Sequence, residues 1–110
     1  MVVNPIDGTL PIKKFVVGNY GGDDEETKYI NLGFTPKAVL VVDSAGRTGY
    51  QTGSYPVICG GLALWDDRPV QGNAVAIELL DGGFAVHKPS GNGYIRTNEA
   101  GGNYYYIAFA

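Results

Sequence analysis

The sequence predicts an all-β fold, an antiparallel β-sandwich of about six to eight short strands. Three observations predict it. Gly (17 residues), Tyr (8) and Pro (6) are abundant while only 17% of residues are charged, a composition that breaks helices and favours half-buried pleated surfaces. Apolar residues alternate with period two over short runs, and no stretch holds the helical period. Turn dipeptides separate those runs, with Asp81-Gly82 the clearest.

Taken in order, residues 1–11 lack periodicity, and Pro5, Gly8 and Pro11 predict an extended arm, a linker or a segment lying on a neighbouring subunit. The single sandwich domain is expected over residues 12–110. A first strand runs from Ile12 to Asn19, with Phe15 and Val17 on one face, and Gly21 to Glu26 makes a polar hairpin loop. In the strand Thr27 to Phe34, Ile30, Leu32 and Phe34 share a face. Thr35-Pro36-Lys37 forces a turn, because the residue before proline avoids the helical region. Ala38 to Asp43 is continuously apolar and reads as a central strand covered on both faces.

Residues 44–56 form a loop rich in Gly, Ser and Tyr, of a length that usually carries function. Val57 to Trp65 is a strand interrupted near Gly60-Gly61, and Asp66 to Pro69 turns. Ala74 to Leu80 and Gly83 to Lys88 flank Asp81-Gly82 as a hairpin. Pro89 to Gly93 turns again, Tyr94 to Thr97 is a short edge strand, and Tyr104 to Ala110 closes the fold. In that last strand Tyr105, Ile107 and Phe109 point one way and Tyr104, Tyr106 and Ala108 the other. One face fills the core; Tyr104 and Tyr106 on the second are candidates for an oligomer interface, the alternative being a partly exposed tyrosine pair.

A chain of 110 residues is one domain with room for a core. The net charge of −3 and scattered basic residues exclude the dense positive footprint of a nucleic-acid binder. No run has the length of a transmembrane helix, and Asp7 with two prolines makes the N-terminus unlike a signal peptide. A lone cysteine allows no intramolecular disulfide and fits synthesis in a reducing compartment.

Catalytic apparatus is sparse, and no enzyme is expected. None of Ser44, Ser54 and Ser90 sits in a G-x-S-x-G elbow, and the sole histidine, His87, lies within a strand pattern. Cys59 with His87 is the remaining nucleophile pair, but a thiol between Val57-Ile58 and Gly60-Gly61 reads as buried. One His and one Cys make no zinc site. The acids Asp23 to Glu26 lack the alternating spacing of a calcium loop and read as solvated. No metal or cofactor is expected.

Binding surfaces are better represented. Tyr50, Tyr55, Trp65 and Tyr94 lie in or beside loops near Asp66 and Arg96, and aromatic faces with polar neighbours suit sugars or protein contacts. The alternative reading places Trp65, close to Leu62 and Leu64, in the core with one or two of the tyrosines.

The string from Tyr29 to Val42 (YINLGFTPKAVLVV), in which a strand ends in Gly-Phe, turns through proline and returns Val-rich, resembles a pattern of bacteriophage tail and tail-fibre modules. Asp81 to Val86 and Tyr104 to Ala110 fit the same pattern in the same order. That order is also similar to H-type lectin domains, trimeric sugar-binding β-sandwiches. The likeness covers scaffold positions and carries over no sugar-contacting residue. It implies a structural module of a phage or prophage virion, made in the bacterial cytoplasm, trimeric, and contacting other tail proteins, with a host-surface glycan as a further candidate partner. A stand-alone lectin-like domain is the alternative.

Overall fold

The structure, a computed structural model, describes residues 15–71 and 74–110; the expected arm over 1–11 and the expected start at Ile12 lie outside them. The described residues form eleven short strands and no helix. These are β1 (Phe15–Gly21), β2 (Thr27–Asn31), β3 (Ala38–Asp43), β4 (Gly49–Thr52), β5 (Tyr55–Ile58), β6 (Gly61–Ala63), β7 (Val70–Gln71), β8 (Ala74–Val75), β9 (Ile77–Leu80), β10 (Gly83–His87) and β11 (Asn103–Phe109).

The antiparallel sandwich is present. A four-stranded sheet, β1-β11-β3-β6, faces a three-stranded sheet, β2-β10-β9. The strands beyond the expected number are two small ladders, β4-β5 and β7-β8. Every ladder is antiparallel, and one parallel bridge, Ile58 to Ile95, ties loop 93–96 to β5.

Period-two burial builds the core. Val39 and Val41 of β3, Tyr104 and Ala108 of β11 and Tyr20 of β1 meet Ile77 and Leu79 of β9 and Phe84 and Val86 of β10. Phe84 and Tyr106 cross between the sheets at 5.1 Å and 70°, the tilted geometry aromatic pairs prefer. Gly18 is paired with Tyr106, and a Cβ there would collide with the Tyr106 ring, so glycine makes the space that the ring fills.

The hairpin at Asp81-Gly82 forms as expected, with Gly82 at φ +84°. β5 and β6 are indeed interrupted at Gly60, where a Cβ would overlap the Val41 carbonyl. Residues 21–26 are not the expected hairpin loop, because β1 pairs with β11 and β2 with β10. Four further expectations of the fold are corrected. The loop 44–56 contains the β4-β5 hairpin, because Gly53 (φ +58°) turns the chain and lets Tyr50 pair with Val57. Residues 94–97 make only the single bridge. Central β3 is sealed on its inner side alone, Val39 and Val41 being buried while Leu40 and Val42 are partly open.

The last of these four corrections concerns β11. Tyr104 and Tyr106, the residues expected at an outward interface, face the core, with Tyr104 only 3% exposed. Tyr104 stacks on Tyr20 at 5.0 Å and 15°. Both hydroxyls reach the end of the sandwich, where Tyr20 donates to Thr97 O (2.6 Å) and Tyr104 to Arg96 O (2.7 Å). Tyrosine is accepted inside because its polar tip finds a carbonyl. The outward face of β11 is instead Tyr105, Ile107 and Phe109.

Candidate functional site

Four of the residues singled out in the sequence come together at the end of the sandwich where β3 finishes. Asp43 closes that strand with an Asp-capped turn, its Oδ1 accepting from the N–H groups of Ala45 (2.9 Å) and Arg47 (2.8 Å). The turn returns the Arg47 guanidinium to Asp43 Oδ2, with Nε at 2.9 Å and Nη2 at 2.8 Å. From there Arg47 lies over the Tyr50 ring, 4.5 Å from its centroid. Arg96, positioned by the bridge at Ile95, donates from Nη1 to Tyr50 Oη (3.0 Å) and from Nε to Gly93 O (3.1 Å). Tyr55 and Tyr94 pack edge to face beside them at 4.7 Å.

The resulting pocket, about 170 Å³, is lined by Asp43, Arg47, Tyr50, Arg96, Glu99 and Asn103 among others. Its two guanidiniums are matched by two carboxylates, so it has donors and acceptors but no net formal charge. Burial pushes Asp43 up, but the bonds from Arg47 and Ala45 outweigh that and hold its carboxyl below the usual range. The same carboxylate raises the pKa of both its partners: Arg47 is held charged by its bond to Asp43. Cys59, whose thiol lies 3.5 Å from Asp43 Oδ2, is pushed up to about 11 by burial and then by that negative charge.

Trp65 and Asp66 do not join this cluster. Trp65 donates from Nε1 to Pro36 O (3.0 Å), at the opposite end of β3, about 20 Å away along the strand. The core placement considered for Trp65 is also corrected, since it is 48% exposed.

His87 and Cys59 have separate partners. His87 Nε2 lies 2.8 Å from Glu78 Oε1, and Nδ1 lies 3.0 Å from Thr27 Oγ1. The carboxylate lies at one ring nitrogen and the hydroxyl at the other, so both nitrogens of His87 have a polar partner whichever tautomer the ring adopts. This hydroxyl–imidazole–carboxylate row crosses β2, β10 and β9 on their outer face and acts as a polar cross-strand tie. Neither Glu78 nor Thr27 was visible as a partner of His87 before the pairing set Thr27 opposite it and Glu78 diagonal to it.

An apolar surface lies on the other sheet. A row of apolar side chains, Val17, Ile107, Leu40 and Leu62, crosses all four strands in register on the outer face. A second row, Phe15, Phe109 and Ala38, runs beside it, and Asn19, Tyr105 and Val42 form the third. No charge interrupts these rows.

No protein-family model, curated protein or solved structure matches the chain.

Phe15, Val17, Tyr105 and Leu62 are 54, 63, 46 and 52% exposed on this face. Half-exposed Phe15, Tyr105 and Phe109 alone leave on the order of 300 Å² of open ring surface, which the aliphatic row extends into one contiguous apolar face. A groove of about 410 Å³ between Val17, Leu40, Val42, Tyr105 and Ile107 gives the face relief. Sequence parity separated Tyr105, Ile107 and Phe109 from Tyr104 and Tyr106 correctly. The signal that assigns the outward side is the match of Ile107 with Val17 and Leu40 once the strands are paired.

Proposed function

We propose that the chain is a non-enzymatic structural module of a bacteriophage or prophage tail, assembling with copies of itself and with other tail proteins in the virion. The observation that supports assembly is the uncharged apolar outer face of β1-β11-β3-β6, which a second copy would cover. The strand pattern of residues 29–42, 81–86 and 104–110 supports the tail setting, and its likeness to H-type lectins favours three copies. A structural role accords with the separate placements of Cys59 and His87 and with a thiol held protonated. Replacing Ile107 with Asp sets a carboxylate in the middle of the face without touching the core. Native mass spectrometry is expected to read a multiple of 11.7 kDa for the parent and one copy for I107D. A folded I107D variant with the parent's mass would reject this face.

A second reading, a lectin-like carbohydrate-binding domain, is favoured by the meeting of Tyr50, Tyr55, Tyr94 and Arg96. A neutral pocket with both donors and acceptors suits hydroxyl-rich ligands better than anions. A glycan array with the parent and Arg96→Ala tests it: binding that the variant loses supports this reading, and an empty array removes it.

A further inference from the structure

Among the described residues, the order β1-β11-β3-β6 leaves β1 at a sheet edge. Which of its backbone groups are open follows from the ladder. Gly22 N–H donates to Gly102 O at 2.9 Å, one step beyond the Gly21–Asn103 pair. Bonded and non-bonded pairs alternate in an antiparallel ladder. Val16, Gly18 and Tyr20 therefore aim their N–H and C=O groups at β11, and Phe15, Val17, Asn19 and Gly21 aim theirs off the sheet.

Edges are normally blunted by charge, proline or brevity. Among the described sandwich edges, β2 carries Lys28, β9 carries Glu78 and β6 has three residues. β1 has seven residues, Phe-Val-Val-Gly-Asn-Tyr-Gly, with neither charge nor proline.

We infer that β1 pairs antiparallel with β1 of a second copy across a two-fold axis at Gly18, joining two four-stranded sheets into one. The inference rests on the self-association proposed above and names where one of its contacts lies. The register is set by use of all the open groups: Phe15 opposite Gly21 of the other copy and Val17 opposite Asn19. Those pairs and their symmetry mates make about eight N–H···O bonds. Gly18 then meets itself at a non-bonded pair, the closest backbone approach in a ladder. Phe15 lies over Gly21 of the other copy, where the structure has open space and a ring gains a backbone to cover.

Charge supports the same partner. In the sequence Lys13 and Lys14 directly precede β1, and Asp23 to Glu26 follow its end. Antiparallel pairing sets the start of one strand beside the end of the other, so these charges meet as opposites. With only this contact the product is a dimer; with a threefold contact through the sheet face it is six copies.

Amide hydrogen exchange on the full chain tests this, read by NMR at a dilute and a concentrated point. Slow exchange of Val17, Asn19 and Gly21 in the assembled state, matching Gly18 and Tyr20 and lost on dilution, is the expected result. Val17→Pro removes one outward N–H while sparing the bonds to β11, and is expected to weaken association at least tenfold. An assembled chain in which Val17, Asn19 and Gly21 still exchange fast overturns the edge pairing and leaves the sheet face standing. A chain monomeric at both concentrations overturns both. Protection that persists in a dilute monomer overturns the second copy as partner, because it assigns the edge to residues 1–14 of the same chain.

Discussion

Replacing Asn98 with Ala removes the bolt between the acidic loop and the end of the sandwich. Asn98 is fully buried. Its Nδ2 donates to Asp23 Oδ1 (2.7 Å) and Glu25 O (2.9 Å), and its Oδ1 accepts from Asp23 N–H (3.2 Å). Two of these bonds join neutral groups, and a neutral bond contributes about 1 kcal/mol net, so their loss costs about 2 kcal/mol. The Asp23 carboxylate is exposed and regains water. For a domain of this size the Tm is expected to fall by about 10 °C. Thermal and urea unfolding followed by circular dichroism read both quantities. Asn98→Asp keeps the shape but turns a donor into an acceptor facing the Asp23 carboxylate, so at neutral pH it is expected to be worse than Ala. An Ala variant within about 0.5 kcal/mol of the parent, the range of an ordinary surface change, would refute the assignment of loop order to Asn98.

Other consequences follow from the same packing. A Cβ on Gly83 would overlap the Ile30 carbonyl, which is backbone and cannot swing away, so Gly83→Ala is expected to destabilise by about 1–3 kcal/mol, measured by urea denaturation. Cys59, with its pKa at about 11, is expected to react with a disulfide reagent at pH 8 only at the rate of unfolding, and Asp43→Asn to speed labelling; fast labelling of the parent would contradict the burial argument. Asp43 has a folded pKa below its unfolded one. Its contribution is therefore complete above the usual carboxylate value, near 4, and is lost as pH falls through the lower folded value. The stability gap between parent and D43N is expected to shrink from pH 7 to pH 3.

The hairpin at Asp81-Gly82 and the break at Gly60-Gly61 were legible because turn chemistry is local. So was the all-β class, which needs only period and composition. Alternation also divided β11 into two faces, but parity carries no sign. The inward choice fell to Tyr104 and Tyr106 because Gly18 makes room for one ring and the Arg96 carbonyl takes the other's hydroxyl, facts that depend on strand pairing. Trp65 was ambiguous for a similar reason: Leu62 and Leu64, its neighbours in sequence, are themselves 52 and 38% exposed. The polar pocket was half legible. Tyr50 and Arg96 stand out as aromatic and basic loop residues, with Tyr55 and Tyr94 packed beside the pocket and not lining it, whereas Asp43 and Arg47 enter it only through the turn that follows β3.

Static light scattering of the unmodified chain, from about 1 to 100 µM, bears most directly on assembly, since association is set by mass action. A mass that rises with concentration to an integral multiple of 11.7 kDa is the predicted result. A constant mass of one copy across that range would mean that the apolar sheet face is satisfied without a second copy, and the assembly reading would fail.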